Sequence, residues 1–301
     1  MRPSAVAARA GRDGLKAALD GLYAEYNRVE AVPDPIDIVR RYPDRADREV
    51  VGFCAAALAF GRVASVLRSI ERLLAVMGPA PADYVRAFDP RRDGRAFQPL
   101  VHRWTRGEDL AALVCAVRRM IDRAGSIEAF FTAGHDPARP DVEASVESFS
   151  ARALALAERS GGPSGLAFFF PRPSMGSACK RLNLFLRWMV RRDAVDLGVW
   201  SGVSPSQLVV PLDVHVIRLG QCLGLTRYRS PGWKMASDIT ASLRELDPAD
   251  PVRYDFALCH VGMRDQCGFS RPFADRRCPL RGWCRPRRRR PRASPPPSGR
   301  R

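Results

Sequence analysis

The chain has 301 residues, 46% of them hydrophobic, and a formal net charge of +17. That size and apolar share suffice for a packed core and exclude a chain disordered throughout. With no run of about 18 apolar residues, a membrane-spanning helix is excluded as well.

The charge is unevenly placed. Residues 285–301 carry eight arginines and no acid, so eight of the seventeen charges sit there and +9 stays on the body. A body and a tail that are both positive favour a polyanionic partner, gripped through phosphate contacts and counterion release. Only three of the 49 basic residues are lysines: Lys16, Lys180 and Lys234. Arginine keeps its proton in proteins, whereas a lysine can be tuned into a nucleophilic amine, so each lysine merits inspection. The opening MRPSAVAARAGR lacks the apolar block of a secretory signal. Eight cysteines in that context read as reduced thiols, some available to a metal, in a cytoplasmic protein, nucleoid-associated if bacterial.

In chain order, residues 13–27 read as a helix, with Leu15, Leu19, Leu22 and Tyr26 near helical spacing. Pro33-Asp34-Pro35 breaks it, and Pro43-Asp44 starts another turn. Residues 47–77 are strongly helical around an almost wholly apolar 50–60 stretch, interrupted at Gly61 and ended by Gly78-Pro79. A helix apolar on nearly every side belongs at the centre of a domain. Helical patterns continue at 80–88, 108–124, 126–132 and 141–158, and after Pro211 at 213–223, 233–246 and 252–263. No alternating run is long enough to demand a strand, and the triplet Phe168-Phe169-Phe170 before Pro171 is too short. The predicted class is all-α, with residues 285–301 as a disordered Arg/Pro tail.

Residues 175–219 hold the chemistry. A turn-like Met-Gly-Ser-Ala-Cys at 175–179 leads into a helix that starts at Lys180. On a wheel of about 100° per residue, Arg187 and Arg191 fall within about 20° of Lys180, and Leu182, Phe185, Leu186 and Met189 lie opposite. The pattern predicts a buried apolar face and an exposed cationic stripe. The first turn of a helix, beside Arg181, disfavours an added positive charge, a condition that makes an amine nucleophilic. The backbone N–H groups of the preceding turn could hold a phosphate. A solvated lysine that merely touches phosphate is the simpler reading. Asp213 follows Pro211-Leu212 and precedes an apolar-periodic helix, where an aspartate serves as N-cap. The same carboxylate, held ionised by N–H groups, could also stabilise an oxocarbenium-like sugar or move protons for a nearby lysine. His215 reads as a residue that orients its helix, and Arg218, one turn on, as a phosphate contact.

These stretches together resemble the helix-hairpin-helix DNA glycosylase superfamily, the endonuclease III-like fold. That family has a G-x-G-x-K hairpin, continues K-x-x-N, and then carries a V-D-T-H-type segment with its catalytic aspartate. Gly176 to Lys180, Lys180-Arg181-Leu182-Asn183 and Leu212-Asp213-Val214-His215 correspond here. The wording GSACKRLNLFLRWMV and PLDVHVIRLG is most similar to a bacterial branch known only as a domain of unknown function.

The resemblance implies a two-lobed helical fold. Residues 46–207 would form a central domain with a hairpin-like segment at 174–190, and 1–45 with 208–284 a second lobe ending in a cysteine loop. It implies Lys180 as Schiff-base nucleophile and Asp213 as activating carboxylate. DNA contacts are expected from Gly176, Ser177, Arg181, Arg187, Arg191 and Arg218. Three features depart from the family pattern. Ala178 replaces the second hairpin glycine, the link 192–207 lengthens the Lys-to-Asp separation, and Gly61 stands where the family inserts a side chain into DNA.

Cys278 and Cys284 reproduce the last C-x5-C of the family's four-cysteine iron–sulfur loop. Cys267 would be the first ligand, Asp275 stands where the second cysteine is expected, and Cys259 could supply the fourth thiolate. A 4Fe–4S cluster is the implied cofactor and zinc the alternative. Cys54, Cys115 and Cys222 read as small core residues. Two functions follow: a bifunctional DNA glycosylase or abasic-site lyase acting in base-excision repair, or a non-catalytic module binding DNA, or RNA, on the same fold.

Overall fold

The computed structural model describes residues 5–29, 33–158, 164–263 and 278–284. Helix α1 spans Ala5–Tyr26, α2 Ile36–Arg40, α3 Arg45–Ala57, α4 Val63–Met77, α5 Pro81–Ala87 and α6 Pro90–Asp93. A two-stranded hairpin follows, β1 Val101–His102 and β2 Thr105–Arg106, and leads directly into α7, Gly107–Ala124. Then come α8 Ile127–Thr132, α9 Glu143–Glu158, α10 Lys180–Val190, α11 Val214–Leu223, α12 Trp233–Arg244 and α13 Asp255–Met263. The all-α class holds. The hairpin corrects the expectation of no strand: strands of two residues carry no alternation that a sequence pattern could reveal.

Helix α3 forms because Asp44 caps it, accepting from the backbone N–H groups of Ala46 and Asp47 at 2.7 and 3.2 Å. Every residue from Glu49 to Ala57 is buried, which puts this helix at the centre of the molecule. Gly52 lets α10 come close, since a Cβ there would stand 2.9 Å from the Met189 methyl. Phe53 meets the Phe185 ring edge-on at 5.2 Å across the same contact. Glu49, buried among these apolar groups, accepts the Ile127 N–H at 2.8 Å and so caps α8. The interruption at Gly61 is real. With φ at +105°, this residue separates α3 from α4 in a conformation that glycine tolerates best.

The link 192–207 is folded into the body. Trp200 is buried between Phe185 and Phe131, at ring separations of 5.2 and 5.7 Å. Gly198 adopts a left-handed φ of +56° where the link turns back on Arg192. Further along, α11 packs on α13 and α13 on α1. Buried side chains from α1 to Leu280 form one continuous cluster. Among the described residues, no helix is long and apolar enough to cross a membrane. The predicted tail 285–301 and Cys267 lie outside the described residues.

Candidate active site at the start of the lysine helix

The approach to α10 is a one-and-a-half-turn device. A short 3-10 turn, Pro173–Met175, ends at Gly176, whose φ of +79° is left-handed. Glu147 on α9 anchors that turn, accepting the Ser174 N–H at 3.0 Å and the Ser174 hydroxyl at 2.8 Å. Ser177 Oγ accepts the Cys179 N–H at 3.1 Å, and Asn183 donates to the Ala178 carbonyl at 3.1 Å. The second left-handed residue is Cys179, φ +47°, directly before Lys180. Ala178 is not among the positive-φ residues, so the missing hairpin glycine imposes no strain where it was expected. The demand has moved one residue along, to a buried cysteine whose thiol burial pushes up to about 12.

Lys180 opens α10 half-buried and donates from Nζ to the Ala59 carbonyl at 3.4 Å. Asp213 caps α11: Oδ1 accepts the N–H groups of His215 and Val216, both at 2.8 Å. Its Oδ2 accepts the Cys259 thiol at 3.0 Å. Burial pushes this thiol well above its ordinary value; the Asp213 and Asp255 carboxylates push it further, and the Lys180 charge opposes them. Asp213 thus contacts the thiol directly, and Lys180 bears on it only through its charge.

Two further carboxylates share this neighbourhood. Asp34, just ahead of α2, is raised by burial and drawn back by Arg187 and Lys180. Asp255, in the first turn of α13, is pushed up to about 6 by burial, with Arg187 opposing and Asp213 adding to the rise. No local pattern marks Asp34, Asp255 or Cys259 as members of this group, because each lies on an element remote in the chain. Asp213 was legible from its cap position alone.

The cationic stripe is corrected. Arg187 and Arg191 do lie on the Lys180 side of α10, but that side faces carboxylates rather than solvent. Arg187 bonds Asp255 at 2.6 Å and Asp196 at 3.2 Å. Arg191 bonds Asp193 at 2.8 Å, Asp250 at 2.9 Å and also Asp196. Each arginine is only 3% exposed, and the link 192–207 supplies the Asp193 and Asp196 that hold them. Burial alone would lower both guanidinium groups, but the facing aspartates keep them charged. Arg181 is also turned inward. It donates to the carbonyls of Ala57 and Phe168, and its guanidinium lies 3.8 Å from the Phe168 ring centre. Burial holds Arg181 down to about 10. None of these three can reach a phosphate without giving up a buried partner. Gly176 and Arg218 are exposed and Ser177 is half-buried.

Of the cysteine loop, Cys278 is buried and Cys284 half-buried, its thiol directed to the Leu280 carbonyl at 3.4 Å. Cys259 is directed to Asp213. Among the described residues, no three His, Cys, Asp or Glu side chains gather as a metal would require. Cys54 is buried, and Cys115 and Cys222 are half-buried against the core.

The fold and site thus define an all-helical protein with one lysine and a set of carboxylates at the junction of α10, α11 and α13. Residues 34–264 match the model of a family described as "Protein of unknown function (DUF2400)", well over half of the chain. The chain belongs to that family. No curated protein and no solved structure matches it.

Proposed function

We propose that this protein binds DNA on a two-lobed, glycosylase-like scaffold and acts at damaged or base-free nucleotides through a Schiff base on Lys180. What carries the reading is that Asp213 holds the Cys259 thiol at 3.0 Å while the charges of Lys180 and Asp255 also bear on that thiol. A lysine placed there has a use that an arginine would not serve, because only the lysine can shed a proton and attack carbon.

In the proposed reaction, neutral Lys180 Nζ attacks C1′ of the open-chain sugar at an abasic site. The aldehyde oxygen leaves as water and a C=N bond forms. Loss of a C2′ proton to water or a carboxylate then breaks the C3′–O bond and releases the downstream strand with its 5′-phosphate, and water returns the lysine. On a nucleotide that still carries its base, attack at C1′ would expel the base instead. Asp213 would receive the ammonium proton, and Asp255, near 6, can hold a proton close to neutral pH. The positive body and tail would attract the backbone at long range.

A second reading is a DNA-binding module without chemistry. It is favoured by the engagement of the two key groups: Lys180 is bonded to the Ala59 carbonyl, and both Asp213 oxygens are occupied. Strand scission decides between them. A labelled duplex with one abasic site is incubated with the protein and run on a denaturing gel. Cleavage 3′ to the site that is lost in Lys180→Ala supports the lyase. Salt-dependent binding without cleavage supports the module.

A further inference from the structure

Nothing in the lysine–aspartate chemistry uses the hairpin tip, which carries the only exposed aromatic side chain among the described residues. Between β1 and β2 stand Arg103, at a left-handed φ of +56°, and Trp104, 58% exposed. The other tryptophans in the described residues, Trp188, Trp200, Trp233 and Trp283, are buried or half-buried.

This indole is held in place. Its ring stacks on Phe60 at 5.1 Å with planes 30° apart, and meets the edge of Phe168 at 5.8 Å. His102 locks the hairpin to that surface. Its Nε2–H donates to the Phe60 carbonyl at 2.9 Å, which leaves Nδ1 to accept the Ser69 hydroxyl at 2.9 Å. Burial lowers this imidazole, consistent with the neutral form that the pairing requires. Gly61 makes room: a Cβ there would stand 3.2 Å from the Arg103 side chain.

An exposed, backed tryptophan normally marks a binding surface. The cations around it indicate the partner's chemistry. Arg103 lies 5.0 Å from the indole centre; Arg62, next to the Gly61 that faces Arg103, and Arg106, on the second strand of the hairpin, are also exposed. An apolar protein surface would meet those guanidinium groups unpaired, whereas a polyanion that carries flat rings satisfies both. The platform also borders the candidate active site. Phe60 follows Ala59, the residue whose carbonyl accepts from Lys180.

We propose that Trp104, backed by Phe60, is a stacking platform for an unpaired nucleobase of the bound strand. The proposal rests on the nucleic-acid reading above and adds a specific contact to it. A base displaced from its stack would find there a ring of comparable size, already ordered, with arginines at hand for the flanking phosphates.

The full chain is titrated at fixed salt against three labelled DNAs: a duplex with a single-nucleotide bulge, the same duplex fully paired, and one of its single strands. Trp104→Ala should weaken binding to the bulged and single-stranded DNAs about tenfold while changing the paired duplex less than twofold. Trp104→Phe should recover most of the loss. In the wild type, bulged DNA should shield tryptophan emission from acrylamide, and the effect should vanish in Trp104→Ala. Equal affinities for wild type and Trp104→Ala on all three DNAs overturn the platform while leaving the DNA reading intact. Failure of the wild type to bind any of them at low salt overturns both. Self-association in sedimentation that Trp104→Ala abolishes, with DNA affinity unchanged, assigns the hairpin to contacts between copies and also overturns the platform.

Discussion

The Cys259 thiol donates to Asp213 Oδ2 at 3.0 Å, joining the cap of α11 to the inner face of α13. The contact fixes one carboxylate oxygen while the other closes the helix cap, so Asp213 is oriented from two sides. It also makes the thiol a reporter of the carboxylate's charge, because Asp213 is among the groups that raise it.

Asp213→Asn should therefore make Cys259 more reactive. Removing the negative charge eases formation of the thiolate, which is the species that alkylates. Iodoacetamide labelling at pH 8, read peptide by peptide, should show Cys259 modified several-fold faster in the variant. Cys54, pushed up to about 12 by burial alone, should stay unmodified in both proteins. An unchanged Cys259 rate would contradict the contact.

Arg187 is a stability residue in this structure. Arg187→Ala leaves Asp255 buried without its cation and Asp196 with Arg191 alone, a loss of about 3–5 kcal/mol by analogy with other buried pairs. Arg62→Ala, on the exposed side of the α4 start, should fall within about 0.5 kcal/mol of wild type. Urea unfolding distinguishes the two. If Arg187→Ala keeps its stability and loses only affinity for DNA, Arg187 faces the nucleic acid rather than Asp255 and Asp196.

Asp255 gives a pH signature. Its folded value, about 6, lies above the unfolded value of about 3.9, so the native state binds the extra proton between them. Its contribution falls as pH rises from about 4 to 6 and then levels. Asp255→Asn cannot ionise and lacks this dependence. Wild type should therefore lose stability relative to the variant steadily across that window. Parallel pH profiles would mean that Asp255 ionises normally.

Two glycines should respond oppositely to alanine. A Cβ on Gly262 would stand 2.6 Å from the His215 Cβ and 2.8 Å from its Nδ1, so Gly262→Ala must push α13 from α11 and costs about 1–3 kcal/mol. Gly21, inside α1, has nothing within 4 Å of such a Cβ, and Gly21→Ala gains about 0.5–1 kcal/mol. Thermal melts of the two variants should move in opposite directions. The Gly262 variant should also expose Cys259 to alkylation, because it opens the same seam.

Much of the helical framework was legible because its signals are local. Asp213 announces its helix as a cap, Pro43-Asp44 marks the turn before α3, Gly61 and Gly78 end their helices, and the apolar run through α3 has only one place to go. The orientation of α10 was half legible. The wheel correctly put Arg187 and Arg191 on the side of Lys180, but whether that side meets water or carboxylate depends on Asp196, Asp250 and Asp255. The last lies 68 residues beyond Arg187, and no periodicity links them. Asp34 and Cys259 were hidden for the same reason. The Trp104 hairpin was hidden because its strands are too short for a pattern.

The proposed attack of Lys180 on C1′ leaves an imine that can be caught covalently. The protein is incubated with abasic-site DNA and sodium borohydride, which reduces any imine to a stable amine. A protein–DNA adduct should map to Lys180 by peptide mass, persist in Lys16→Ala and be absent in Lys180→Ala. An adduct that survives in Lys180→Ala, or no adduct from a wild-type protein that binds the same DNA, would contradict the attack by Lys180.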